Sequence, residues 1–285
     1  MKKVIMAPNP YRDKNFKYAN QAQRILKEVG IDARICLAFD VDKSFELPGD
    51  VMLHDIGKEL KDAELLICFG GDGTILHASK AATYAGIPIL GVNIGTMGFM
   101  AELESSELKE LRRLADGNYA VETRMMLHVR AEHEGRTVLE EDALNDAVIT
   151  KGAVARIVQM SVSCDGVEIM GFGGDGVVIS TPTGSTAYSM SAGGPIVEPT
   201  AQNIIITPIC AHDMRTKTVV TSPDREISVE IGRIGRKNAF LSVDGGRALR
   251  LNTGDRITVT RSAHCTKLIR LTEWGFFDIV KNKFR

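Results

Sequence analysis

Apolar residues fall into two textures along the chain, and the change between them lies near Tyr119. Before it, unbroken apolar runs alternate with stretches in which apolar residues recur every three or four positions. These are the signatures of buried parallel strands and of amphipathic helices. Val4 to Ala7 forms a short run that ends at Pro8-Asn9-Pro10. Asn15 to Val29 carries Ala19, Ala22, Ile25, Leu26 and Val29 at helical spacing, is closed by Gly30, and leads to a second strand from Ile31 to Phe39. The chain therefore opens on a βαβ unit. Residues 40–57, rich in Asp, Pro and Gly, read as a loop able to cover a site, and Glu59 to Glu64 leads into Leu65–Phe69, a strand buried on both faces. Ile75 to Tyr84 reads as a helix broken by Gly86, Ile87 to Val92 as another buried strand, and Ser106 to Ala115 as a surface helix closed by Asp116-Gly117-Asn118.

From Tyr119 onward short alternating runs dominate, and turn residues divide them. Strands are expected at Met126–Glu132, Arg136–Leu139, Ala143–Ile149, Arg156–Cys164, Val167–Phe172, Val177–Ser180, Ile204–Ile209, Ile227–Ile231, Ala239–Val243 and Arg256–Thr260. Asp165-Gly166 and Asp244-Gly245 fall between such runs, as hairpin chemistry requires. The expected fold is an α/β N-terminal domain with a parallel sheet over residues 1–118, then a β-rich, sandwich-like domain over 119–274. Phe276 to Phe284 mixes apolar and basic residues, so residues 275–285 read as a short amphipathic helix packing back on the first domain.

A length of 285 residues suits two domains with proper cores. The formal charge is −1 with both signs interspersed, which leaves no basic face for nucleic acid; Arg233 to Lys237 reads as solvated loop. Cys36, Cys68, Cys164, Cys210 and Cys265 are odd in number, widely spaced and mostly in strand-like sequence, the pattern of reduced core residues. No CxxC or Cys/His cluster points to structural zinc. The apolar run in MKKVIMAPNP is too short for a signal peptide and no segment is long enough to span a bilayer, so the expected compartment is cytoplasmic, with no membrane partner.

Chemistry concentrates at Gly70-Gly71-Asp72-Gly73-Thr74, where a buried strand runs through glycines into a helix. Such a turn, with Thr74 able to cap the helix, gathers free backbone N–H groups at one point and attracts phosphate. Asp72 would repel that phosphate unless it held a cation or took a proton; the plainer alternative is a helix cap. The loop lacks both the GxxxxGK[ST] and the GxGxxG spacing. A second glycine-rich loop, Asn93-Ile94-Gly95-Thr96-Met97-Gly98-Phe99, also follows a strand's carboxyl end, so the two loops are expected to share a cleft. Thr181-Pro182-Thr183-Gly184-Ser185-Thr186-Ala187-Tyr188-Ser189 offers hydroxyls around a fixed turn, suited to the phosphates and riboses of a nucleotide, with Tyr188 placed to stack on a base or bond a sugar. Asn145-Asp146 puts two polar residues inside an apolar strand, where one should point inward and needs a partner, ligand or backbone. His77 and Arg156 are either phosphate or base contacts or simply solvated.

GGDGT, NIGTMGF, Asn145-Asp146 and DGVVISTPTGSTAYSMSAGGPIV, residues 175–197, together resemble an NAD kinase over nearly the whole chain. GGDG alone is shared with diacylglycerol, sphingosine and 6-phosphofructokinase families; TPTGSTAYS is far more specific. FFDIVKNKF resembles the end of bacterial members. The resemblance implies an NAD kinase-like fold and transfer of phosphate from ATP, or polyphosphate, to the adenosine 2′-hydroxyl of NAD, giving NADP. It makes Asp72 the catalytic base and a candidate cation ligand. NAD-binding positions follow as Asp72, Gly73, His77, Asn145, Asp146, Arg156, Asp175, Thr183, Thr186, Ala187, Tyr188, Ser189, Met190 and Ser191. A divalent cation, Mg²⁺, and a homodimer or homotetramer are implied as well. Asp146 stands where the family has a longer Glu, Gly173 where many members have Arg or Lys, and Gly246 where a Gln or Asn often reaches the ligand. Donor preference and NAD affinity are the properties these departures touch. A lipid kinase acting on a hydrophobic alcohol and a non-catalytic NADP sensor are the competing readings; the hydroxyls after Asp175 count against the first and the presence of Asp72 against the second.

Overall fold

The structure, a computed structural model, describes residues 1–38, 53–54, 56–96, 98–152, 157–213, 215–234 and 238–284. Most of the expected loop at 40–57, with Phe39, Met97, Arg156 and residues 235–237, lies outside the described residues. The chain forms two compact units, one of Met1–Thr123 with Thr266–Arg285 and the other of Arg124–Cys265. No helix among the described residues is long and apolar enough to cross a membrane.

In the first unit β1 (Lys3–Pro8), α1 (Lys17–Glu28) and β2 (Asp32–Cys36) make the opening βαβ unit. The two-residue strand β3 (Leu53–His54), the single turn α2 (Ile56–Glu59), β4 (Leu65–Gly70), α3 (Asp72–Ala85), β5 (Ile89–Asn93) and β6 (Leu103–Glu104) follow. The strands β5, β4, β1, β2 and β3 lie side by side, all parallel, with β6 pairing beyond β5. Every residue of β4 is buried, as a strand covered on both faces must be. Val4, Met6, Leu65, Ile67 and Phe69 alternate onto the face that holds Ala19, Ala22, Ile25 and Leu26 of α1. Cys36 and Cys68 are core residues, and burial pushes the Cys68 thiol up to about 12, whereas Cys210 is exposed; no disulfide joins any of the five cysteines. The expected surface helix at Ser106–Ala115 is a 3-10 helix over Leu108–Leu114, with Leu108, Leu111 and Leu114 buried. Apolar residues spaced by three align on one edge of a threefold helix.

The second unit holds β7 (Ala120–His133), β8 (Arg136–Ala143), β9 (Asp146–Lys151), β10 (Val158–Cys164), β11 (Val167–Gly174), β12 (Gly176–Ser180), the one-turn α4 (Tyr188–Ser191) and β13 (Ile204–Ile209). It ends with β14 (Val219–Thr221), β15 (Ile227–Ile231), β16 (Ala239–Val243), β17 (Leu249–Leu251) and β18 (Arg256–Arg270), whose last residues belong to the first unit. Two antiparallel layers result: β11, β10, β15 and β18 in one, and β14, β13, β12, β9, β16 and β17 in the other. Alternate residues, among them Ile149, Met160, Val162, Val177, Ile179, Ile206, Val229 and Leu241, fill one core. Asp165-Gly166 and Asp244-Gly245 both take positive φ; the first is the two-residue turn of a hairpin, the second opens the longer loop between β16 and β17.

The expected single strand over Ala143–Ile149 is broken. β8 stops at Ala143, Leu144 and Asn145 form a bend, and β9 starts at Asp146. The chain after β18 ends in α5 (Phe276–Lys283), which lies in the first unit.

Candidate active site

In the first unit the loop after β4 gives α3 its start. Gly71, not Thr74, is the N-cap, with extended backbone and no side-chain cap bond. Thr74 sits in the first turn, buried, and its hydroxyl accepts a hydrogen bond from the Asn9 side-chain amide at 3.1 Å. A Thr at the third helical position of this turn packs inward, so it cannot reach back as a cap. The Thr74 N–H is taken by the Gly71 carbonyl at 2.9 Å; those of Asp72 and Gly73 come before it, at the end of the helix where the dipole adds positive potential.

Asp72 does not cap α3 either. Its Oδ2 accepts the backbone N–H of Phe99 at 2.7 Å and its Oδ1 that of Met100 at 3.0 Å. The second glycine-rich loop therefore closes on the carboxylate of the first, and a Cβ at position 98 would overlap the Asp72 oxygens where they stand, so this grip relies on glycine there. The two bonds fix the orientation of Asp72 and leave it lone pairs to spare. Gly73 is exposed beside it. His77, one helical turn further, is exposed and its Nε2 lies 2.9 Å from the Ala38 carbonyl oxygen. Arg12, exposed on the loop after β1, is held by an Asn9 turn: the N–H of Arg12 bonds the Asn9 carbonyl and that of Tyr11 the Asn9 side chain. A Cβ at Gly95 would lie 3.5 Å from its Nη1. The sequence reading passed over Arg12, since nothing in a lone Arg marks it.

In the second unit the bend at Leu144-Asn145 has a cause one hundred residues away. The Asp244 carboxylate accepts three consecutive N–H groups, Leu144 at 2.7 Å, Asn145 at 2.8 Å and Asp146 at 3.0 Å. That grip pulls the chain out of the strand alternation, so Asn145 and Asp146 are both buried rather than facing opposite ways. Asn145 Oδ1 is buried with no partner. Asp146 is pushed up to about 7, first by burial and then by the negative charge of Asp244. Asp244 was legible only as a turn residue.

The hydroxyl-rich segment packs on this bend. Thr181 donates its backbone N–H to Asn145 O at 2.9 Å and its hydroxyl to Leu144 O at 2.6 Å. A Cβ at Gly184 would overlap the Asn145 carbonyl, so the turn needs glycine to approach. Thr183 is buried, and the almost fully buried Arg124 donates to its hydroxyl at 3.3 Å. An Arg heading the apolar run Met125–Val129 was the missed signal. The hydroxyls of Thr181, Ser185 and Ser189 serve the fold: Ser185 bonds Val197, and Ser189, expected at the ligand, pairs with Thr207 at 2.9 Å in the core. Tyr188 and Ser191 are exposed, with Thr186, Ala187 and Met190 partly so.

Asp175 is not brought to Asn145. Ser180 lies opposite Asp146 and Gly176 opposite Thr150, so Asp175 sits beyond the far end of β12, roughly 13 Å or more along it at about 3.3 Å per residue. It pairs there with Lys151 Nζ at 2.6 Å. Arg156 is outside the described residues. Space at Gly173 is taken by the Gln159 amide, 2.7 Å from where a Cβ would stand, and Gly246 receives the Ser242 hydroxyl on its carbonyl. Among the described residues no three His, Cys, Asp or Glu side chains cluster as metal ligands.

The model for the ATP-NAD kinase N-terminal domain matches residues 4–119, and that for the ATP-NAD kinase C-terminal domain matches residues 144–271. A curated NAD kinase from Ruminiclostridium cellulolyticum is 35% identical over 99% of this chain and 98% of its own. A yeast NADH kinase solved with NADH superposes with a TM-score of 0.85 at 24% identity, over 100% of this chain and 87% of that one. An NAD kinase from Archaeoglobus fulgidus solved with ATP does so with a TM-score of 0.73 at 22% identity, over 100% and 97%. The two structures bear on the fold alone. Both domain models and a full-length relative at this identity leave one conclusion, that the chain belongs to the NAD kinase family.

Proposed function

We propose that the chain transfers the γ-phosphoryl of ATP to the adenosine 2′-hydroxyl of NAD, with Asp72 as the general base. The observation that carries this is the geometry of Asp72: a carboxylate at the start of α3, oriented by two backbone N–H groups and not spent on capping the helix. In the reaction the bond between the γ-phosphorus and the ADP oxygen breaks and one to the ribose 2′-oxygen forms. The hydroxyl proton passes to Asp72. Free N–H groups at the α3 start, and Arg12 on the neighbouring loop, suit the donor phosphates.

The residues fit a cation that is held mainly by phosphates and water, with Asp72 as the single carboxylate within the loop, which is how Mg²⁺ is usually bound. When bound, Mg²⁺ spreads the charge of the phosphates. For the acceptor, the buried and unpartnered Asn145 Oδ1 needs a donor and a ribose hydroxyl supplies one. Asp146 would accept from the same sugar, and Gly73, His77, Thr183 and the segment Thr186–Ser191 complete the NAD set by family pattern, with Ser189 acting through the core. The position of Asp175, remote from Asn145 along β12, favours its serving the NAD of a neighbouring copy, as does Arg156 by family pattern. A homodimer or homotetramer follows from this reading.

Asp72→Asn tests the proposal. NADP formation with ATP and Mg²⁺ should fall by at least the loss of a general base, about 10² to 10⁴, while calorimetric binding of NAD persists. A folded variant turning over within a few fold of wild type would place the base elsewhere.

A further inference from the structure

The loop that orients Asp72 is itself clamped by the C-terminal segment of the chain. Glu102, whose side chain is 2% exposed, accepts the N–H groups of Leu271 at 2.7 Å and Thr272 at 2.6 Å, and the Arg270 guanidinium at 3.0 Å. Three residues earlier the Phe99 ring meets α5. Its centroid lies 6.1 Å from that of Phe276, and the Lys283 ammonium stands 4.8 Å from the Phe99 centroid. Phe99 is also the residue whose N–H holds Asp72 Oδ2. A side chain at position 98 would overlap the carboxylate, so Gly98 lets the loop close on it.

The helix touches the loop narrowly. Only Ile279 of α5 is buried, and with Gly98, Ala101, Leu103 and Trp274 it lines a cavity of about 180 Å³. Phe276 and Lys283 of α5 both reach the Phe99 ring. An aromatic pair and an ammonium over a ring face are both directional contacts, so they fix the position of a ring and not merely its burial.

We propose that Phe276, supported by Lys283, is a positioning residue for phosphoryl transfer: it holds Phe99, and through the Phe99 and Met100 N–H groups the Asp72 carboxylate, in the orientation that takes the 2′-hydroxyl proton. This rests on Asp72 being the base. Misplacing a catalytic group by about 1 Å can cost about 10²-fold, and releasing the loop's ring is a perturbation of that kind.

The test uses the full chain with NAD, ATP and Mg²⁺. Phe276→Ala should lower kcat by roughly 10- to 100-fold with the KM for NAD within about twofold, and Phe276→Tyr, which keeps the ring, should restore most of it. In an Asp72→Asn background Phe276→Ala should cost nothing further. An unchanged kcat, a loss confined to KM, or a full additional loss on Asp72→Asn would overturn the proposal. If Phe276→Ala does not fold, Lys283→Met carries the same expectations with a smaller loss of kcat, and an unaltered kcat there overturns it equally. Asp72→Asn with near wild-type turnover would sink the base assignment alone, whereas an inactive Asp72→Asn beside a fully active Phe276→Ala would sink only the role of α5.

Discussion

Asp146→Asn should make the protein more stable at high pH and leave it nearly unchanged in acid. Burial, with the Asp244 charge close by, raises the Asp146 carboxyl from its ordinary value of 3.8 to about 7. The folded state therefore binds this proton more tightly than the unfolded chain. The stability linked to it is fully present below about pH 4 and is lost as pH rises through about 7. Ionising Asp146 in the folded state costs about 4 kcal/mol at about 1.4 kcal/mol per pH unit. Asn is isosteric and has no charge to desolvate, so the variant escapes that cost. Between about pH 5 and pH 8.5 the difference in unfolding free energy, variant minus wild type, should rise by about 2 to 3 kcal/mol in favour of the variant. Urea unfolding followed by circular dichroism at several pH values measures it. A difference that stays flat over this range would mean that Asp146 ionises freely and that the argument from burial and Asp244 is wrong. The same linkage reaches function if a ribose hydroxyl donates to the carboxylate. NAD should then bind with release of a proton, and tighten about tenfold from pH 6 to pH 8.

Asp244→Ala removes the acceptor of three N–H groups and should destabilise the second unit by about 3 kcal/mol or more, seen as a lowered unfolding midpoint; a loss below about 0.5 kcal/mol would show that the bend stands without it. Asn145→Ala should raise the KM for NAD with an effect of about 1 to 3 kcal/mol and hardly touch that for ATP, and equal effects on both would remove Asn145 from the acceptor site. Arg12→Met should weaken ATP more than NAD, by severalfold in KM; a selective loss of NAD would contradict its place on the donor side. Diluting the enzyme while following size and activity should show both fall together, and a fully active monomer would refute the assignment of Asp175 to a neighbouring copy.

Local patterning carried much of the fold. Leu65–Phe69, with no polar residue, had to be a doubly covered strand, and Ile204–Ile209, Ile227–Ile231 and Ala239–Val243 appear with the bounds their alternation predicts. What local patterning could not carry was set by contacts distant in sequence. The break at Leu144-Asn145 depends on a carboxylate at position 244, and the burial of Ser189 depends on the hydroxyl of Thr207. Strand lengths erred for a related reason. β18 runs on to Arg270 because its last residues join a different unit, where Leu268 pairs with Ile89. The hydroxyl segment was legible as a unit, but its division into inward and outward hydroxyls was not, since a tight turn has no fixed period from which to read direction.

Asp72 and Asp244 share one device and differ in how fully it is used. Each is a carboxylate held by consecutive backbone N–H groups, which orient it. An ionised carboxyl offers about four acceptor sites. Asp244 gives three of them to the chain and fixes a bend, so its substitution should be read out in folding. Asp72 gives two, one on each oxygen, and keeps capacity to accept a proton. Gly98 permits that grip by having no side chain of its own. The same contrast explains why Asn cannot stand in for Asp72. Its amide would turn an N–H toward the N–H of Phe99 or Met100, so besides losing the base the variant would lose one of the two bonds that aim it. A loss of turnover beyond that of the proton acceptor alone is therefore expected, and adding a small carboxylate to the Asp72→Asn enzyme should not restore activity, because a free anion meets no such pair of oriented donors.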